Sequence, residues 1–205
     1  MKWLLSLLAG LTISASAGAE DVGPDVMVKN VTNEVIEIVR RDKDIQNGNT
    51  RKAVDLVETK VLPHFNFQRM TAQAVGKSWR QASAAQQKSL SEAFRTLLVR
   101  TYANALTAYK SQTVDFKPLK MAPADTDVTV HSIIKQPGAK PIDIDYALEK
   151  DGSSWKVYDF TIGGISLVTS YRDQFSQQIA ADGVDGLIKS LQAKNASLDA
   201  SAARK

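Results

Sequence analysis

Apolar side chains recur at every third or fourth position between residues 25 and 110, then at every second position between 113 and 162. The chain therefore reads as a helical half followed by a β half. Met27, Val31, Val35, Ile38 and Val39 form the stripe of an amphipathic helix over residues 25–40, which ends near the Asn47-Gly48 turn. Asn49 or Thr50 can cap a second helix with Val54, Leu56, Val57 and Val61 on its buried side, and Pro63 ends it by restricting the residue before it. Residues 65–79 read as a short third helix with Gly76 near its end. Ser83 and Gln86 make a capping box that opens the longest helix, running to about Lys110, whose broad apolar face is Leu90, Phe94, Leu97, Leu98, Thr101, Ala105 and Tyr109.

Beyond Lys110 the two-residue period predicts strands over 113–119, 127–135, 142–150 and 155–162, separated by Ala122-Pro123, Pro137-Gly138 and Asp151-Gly152. The third is the cleanest, with Ile142, Ile144, Tyr146 and Leu148 on one side and Asp143, Asp145 and Glu149 on the other. Short turns between them imply an antiparallel meander. Gly163-Gly164 breaks the last strand, helix resumes over 165–180 and 184–193, and the Ala/Ser-rich stretch 195–205 is expected to fray. The fold class is α+β, with N-terminal helices on a four-strand antiparallel meander and a C-terminal helix, a cystatin- or NTF2-like cone that can hold an apolar pocket.

The first residues follow a different pattern. Lys2 precedes an apolar run from Trp3 to Ile13, and Ala15-Ser16-Ala17 and Ala17-Gly18-Ala19 both fit a small-x-small cleavage rule. Residues 1–19 therefore read as a secretory signal cut after Ala19, leaving one domain over 20–194. About a dozen apolar residues fall short of the roughly 20 that span a bilayer, and no cysteine follows them to carry lipid.

Composition narrows the chemistry. With no cysteine in the chain there is neither a disulfide framework nor a thiolate site, so stability rests on apolar burial. His64 and His131 are the only imidazoles and lie far apart in sequence, which argues against a metal centre. The net charge of +4 is spread along the chain, with Arg40-Arg41 and Arg51-Lys52 as the local pairs; it excludes a nucleic-acid patch and leaves a mild attraction to anionic membrane surfaces. No nucleophile elbow, phosphate loop or H-E-x-x-H pair is present.

Acid/base chemistry is the remaining enzymatic option. Asp143, Asp145, Tyr146, Tyr158 and Asp159 lie on adjacent strands, and a buried Asp beside a Tyr donor can move protons, as an isomerase or cyclase would. Against it, Asp143 and Asp145 oppose the apolar stripe and read as solvated carboxylates. The histidines read as structural or surface residues. Gly163-Gly164 reads as a tight turn in preference to a phosphate cradle.

Several blocks carry a family resemblance. The run from Gly76 to Ser83 with Gln86-Gln87, then Glu92-Ala93-Phe94-Arg95 through Leu98-Val99-Arg100-Thr101-Tyr102-Ala103, resembles the MlaC family of periplasmic phospholipid-binding proteins. Residues 125–130, Ile144-Asp145-Tyr146, Trp155-Lys156-Val157-Tyr158-Asp159, Ile165-Ser166-Leu167-Val168 and Tyr171-Arg172-Asp173-Gln174-Phe175 continue the resemblance in the same order, so that it covers roughly 31–191. The chain departs from the family in having Gly163 where an acidic residue is usual and Pro63-His64-Phe65 where Ala-Asp-Phe is common.

The resemblance implies a monomeric, soluble periplasmic shuttle of a Gram-negative bacterium, with phospholipid as cargo, no cofactor and no catalytic step. It would pass lipid between an outer-membrane lipoprotein-porin complex and an inner-membrane ABC transporter with a periplasmic substrate-binding ring. The expected pocket walls are Phe94, Leu97, Leu98, Thr101 and Tyr102 of the long helix, Val128, Val130, Ile144, Tyr146, Val157 and Tyr158 of the sheet, and Ile165, Leu167, Val168 and Tyr171 of the corner helix. Periodicity marks these as a buried face without saying whether a cavity lies behind it. Arg100 and Arg172 are candidates for head-group or partner contacts.

Overall fold

Proline supplies the helical φ at the first position of α1 (Pro24–Arg41), and α1 runs until Asp42 turns extended. A computed structural model describes residues 22–202; the expected signal segment and its expected cleavage point lie outside the described residues. Polar side chains then cap each following helix by accepting orphan backbone N–H groups. Asp42 caps α2 (Lys43–Gln46), Asn49 caps α3 (Thr50–Leu56), Asn66 caps α4 (Phe67–Val75), and the Ser83–Gln86 capping box opens α5 (Ala84–Tyr102).

The expected second and third helices are shorter than their apolar patterns. After Leu56 the backbone widens to a π turn over Val57–Val61 and tightens to a 3₁₀ turn over Leu62–His64. Thr59 bonds back to the carbonyls of Asp55 and Leu56, and Pro63 has no N–H to continue the ladder. Gly76, at φ +66°, ends α4 at Val75 and a 3₁₀ turn follows to Arg80. The long helix likewise changes to 3₁₀ over Ala103–Ala108.

The described residues contain five antiparallel strands in sequential order where four were expected: β1 (Thr113–Phe116), β2 (Asp127–Lys135), β3 (Ile142–Asp151), β4 (Ser154–Ile162) and β5 (Ile165–Ser166). Ile165, read as the start of a helix, belongs instead to β5, because Gly163 and Gly164 take positive φ and turn the chain back on β4. A bulge opposite Ala147 and Leu148 leaves Tyr158 unpaired between Val157 and Asp159. Trp155, Val157, Phe160 and Ile162 thereby share one face despite the broken alternation.

The last helix, α6 (Leu167–Ala202), kinks at Gly183 (φ +70°), within the break the sequence predicts. It does not fray at Asn195. That residue is buried and its amide donates to the Ala93 carbonyl at 2.9 Å, Leu198 packs on the helical core, and Asp199 meets Arg100 at 2.7 Å. Alanine-rich sequence is itself strongly helix-forming, so a few tertiary anchors extend the helix over a stretch without large apolar side chains.

Three apolar clusters result. Phe94, Leu97 and Leu98 of α5 join Met70 of α4 and Val168, Phe175 and Leu187 of α6. Val28 of α1 joins Val128, Val130, Leu148, Trp155 and Val157 of the sheet. Val35 and Val39 join Ile45, Ala53 and Leu56, with Val61, Leu106 and Tyr109 at the margin. Phe65 touches both of the first two clusters, because it bridges to Val157 as an added edge of the sheet.

Leu98 lies in the interhelical cluster with 6 % of its surface exposed, so Leu98→Ala should lower unfolding free energy by about 2–5 kcal/mol in urea titration. A loss below about 1 kcal/mol would instead indicate a cavity already present at that position.

Candidate functional site

The sheet's inner face is built in rows of cross-strand partners. Val128 and Val157 flank Leu148 in one row; Val130 and Phe160 flank Tyr146 in the next; Phe116, Ser132, Ile144, Ile162 and Ile165 span the third; Val114, Ile134 and Ile142 close the series. Burial grades along these rows. Leu148 and Val157 are fully enclosed, and Ser132 and Ile144 at the centre of the third row are buried, whereas Val114, Ile134 and Ile162 are half-buried, Ile142 is 45 % exposed and Ile165 66 %. The reason is the placement of α1: Val28 covers the first row, and Thr32 reaches the Tyr146 phenol beside Ser132. Helix α5 does not share this face, because it packs on α4 and α6.

One end of the inner face is thus a filled core and the other an apolar surface that α1 leaves uncovered. Ile38, Val61 and Leu106 are partly buried at the margin of the separate cluster formed by Val35, Val39, Ile45, Ala53 and Leu56. Tyr146 and Phe160 meet edge to face, with ring centroids 5.1 Å apart, between the two regions. Burial raises the Tyr146 phenol above its ordinary value, against an opposing effect of the nearby Ser132 and Thr32 side chains, so it stays neutral. Such a face offers dispersion contact and desolvation and carries no charge.

The residues expected to wall one pocket divide between two places. Val128, Val130, Ile144, Tyr146 and Val157 lie on the inner face, and Ile165 at its exposed end. Phe94, Leu97, Leu98, Val168 and Tyr171 lie in the interhelical cluster; Leu167 is half-buried at the start of α6, and Thr101 and Tyr102 are exposed. Tyr171 packs on Phe94 and Phe175, and burial followed by the neighbouring Tyr102 phenol pushes its own phenol up to about 12. Tyr158, displaced by the bulge, leaves the inner face: its hydroxyl donates to Asp127 at 2.6 Å while the Arg69 guanidinium stacks 3.4 Å from its ring centroid. Burial and the Asp127 hydrogen bond push that phenol up to about 12.

Arg69 was not legible as a key residue. Three residues after a capping Asn, it bonds Glu149 and Asp127 on two different strands and fixes α4 against the sheet. Its sequence signal is a lone basic residue in a first helical turn, which is common on surfaces. The two expected head-group arginines are also engaged within the fold, Arg172 with the Gln73 carbonyl at 2.9 Å and Arg100 with Asp199.

The acid/base candidates do not converge. Asp145 pairs with His131 at 2.6 Å and Asp143 with Lys117 at 3.7 Å, both on the outer face opposite the apolar rows. Asp159 accepts from the Ser166 hydroxyl and the Val168 amide, which caps α6. Among the described residues no group of three or more His, Cys, Asp or Glu is placed to hold a metal, and no helix is long and apolar enough to cross a membrane.

Comparison with known proteins identifies what carries this arrangement. The family model for MlaC protein matches residues 29–193. The chain belongs to the MlaC family. It is 39 % identical to a phospholipid-binding protein from Ralstonia solanacearum, solved in complex with a phospholipid, with a TM-score of 0.79 over 85 % of this chain and 98 % of that one. It is 23 % identical to the intermembrane phospholipid transport system binding protein MlaC of Haemophilus influenzae, over 93 % of this chain and 92 % of that protein. It is 25 % identical to the toluene tolerance protein ttg2D of Pseudomonas putida, over 90 % of this chain and 84 % of that protein.

In this MlaC-family chain, His64 sits where the 3₁₀ turn joins the sheet edge, next to the Pro63 carbonyl that Lys156 donates to. Burial, then the Lys156 charge, lowers the His64 pKa, with Glu34 opposing. A folded value below the unfolded one means that stability is intact above pH ~6.5 and is lost as the pH falls through the depressed folded value. Urea titrations at a series of pH values from about 7.5 to 5 should show that loss, and His64→Gln should flatten part of the slope. An unchanged slope would assign the acid sensitivity to other groups.

Proposed function

We propose that this protein is a soluble periplasmic phospholipid carrier, exported by the signal in residues 1–19, cut free of it, and working without a catalytic step. The observation that carries the reading is an apolar sheet face left partly uncovered in a chain 39 % identical to a protein solved with a phospholipid bound. Phe116, Ile134, Tyr146, Phe160 and Ile162 from the sheet line the acyl-chain site in this reading.

The physics sets what such a site must do. At about 0.8 kcal/mol per buried CH₂, two acyl chains with roughly 30 methylenes make escape into water unfavourable by on the order of 25 kcal/mol. An apolar lining offsets that term, and the head group stays in water because burying an unpaired phosphate is expensive. The carrier would exchange lipid with an outer-membrane lipoprotein-porin complex and an inner-membrane ABC transporter bearing a periplasmic substrate-binding ring. Direction would come from the transporter. An acid/base enzyme has less support, since Asp145 and Asp159 face away from the apolar rows and already hold partners.

Protein purified from the periplasm should release about one phospholipid per chain in organic extracts analysed by mass spectrometry. Only traces would sink the carrier reading. Ile162→Asp, which sets a charge against the acyl chains, should lower lipid content at least about tenfold in folded protein. Full occupancy would remove that position from the lining.

A further inference from the structure

Three exposed features lie along one end of the sheet, from the β1 side to β5. Ile142 and Ile165 are the most exposed isoleucines of the inner face, at 45 % and 66 %. The hairpin loop between β2 and β3, residues 136–141, is exposed throughout, carries Lys140 and has no carboxylate. Lys110 joins them through a chain of contacts: its amide bonds the Gln112 side chain, Gln112 bonds Gln136, and Thr113 pairs with Lys135. The acids at this end are already matched, Asp115 by Lys135 and Asp143 by Lys117. Lys110 and Lys140 have no carboxylate partner among the described residues.

We infer that this end of the sheet is a docking surface for an anionic phospholipid bilayer. Two projecting aliphatic side chains at the end of a sheet that also carries two unmatched lysines have the chemistry of peripheral membrane binding: the apolar pair enters the head-group boundary and the ammonium groups meet lipid phosphates. Charge selects the occupant, because the excess here is cationic; a second copy of the chain would bring the same excess and repel. The uncovered apolar rows lead inward from the same end through Ile134 and Ile162, so docking would bring lipid to the proposed acyl-chain site. Its purpose rests on the carrier reading, while its geometry stands on exposure and charge alone.

The test is co-sedimentation of the purified protein with vesicles of phosphatidylglycerol and phosphatidylethanolamine, beside vesicles of phosphatidylcholine. The protein should pellet with the anionic vesicles and be released at about 0.5 M salt. Neutralising each lysine, in Lys110→Gln and Lys140→Gln, should weaken binding about fivefold. Ile142→Ser should weaken it in protein shown by circular dichroism to be folded. Equal pelleting with phosphatidylcholine, or binding unchanged in the double lysine variant, overturns the inference. So does a concentration-dependent dimer that Ile142→Ser abolishes, which would assign the patch to a second copy. Phospholipid extracted from the same preparations separates the two readings: vesicle binding without cargo supports docking and counts against the carrier, and cargo without vesicle binding overturns docking alone.

Discussion

The inner face of the sheet is apolar from Trp155 to Ile142, and α1 covers only part of it, with Val28 in the cluster of the first rows and Thr32 beside the Tyr146 phenol. The remaining long helices bury their apolar stripes on one another, in the cluster of Phe94, Phe175 and Leu187. Burial of apolar surface is non-directional, so nothing in the stripes themselves dictates which partner they choose. That choice leaves the sheet with more apolar face than the fold can cover. The lining of the proposed site, its open end and the exposure of Ile142 and Ile165 all follow.

Holding two such clusters in one chain requires joints, and the polar residues supply them. Phe65 pairs with Val157 as an extra edge of the sheet, Asn66 caps α4 and donates to Glu149, and Arg69 spans Glu149 and Asp127 over the Tyr158 ring. Asp159, two residues further along β4 than Val157, caps α6. These groups fix the helical cluster against the sheet around the middle of β4, from Val157 to Asp159. The same engagements explain why the carboxylates that looked chemically suggestive are not free: each completes a cap, an ion pair or a strand clamp.

Much of this was written locally. The Ser83–Gln86 capping box, the break before Val184, the Asn49 cap and the alternation from Ile142 to Leu148 depend on neighbours within a few residues, and the structure has each of them. The family, too, was legible, because blocks such as Trp155-Lys156-Val157-Tyr158-Asp159 preserve side chains in order along the chain. Where the reading slipped, a single residue changed the phase. The bulge at Tyr158 turned a pocket candidate to the other face, and Gly163-Gly164 made Ile165 a strand residue.

The sequence by itself determined which positions are apolar, where helices are capped, how strands alternate and which family the chain joins, since these are set by residue type and near neighbours. Only the tertiary structure decided that Leu98 packs against helices and Val157 against α1 and Phe65, that Arg100, Arg172 and Arg69 serve as internal ties, and that residues 195–202 remain helical. Periodicity names a buried side of each element and is silent about what lies opposite. The partner is chosen by how all the apolar faces compete for one another, and that competition is a property of the whole chain.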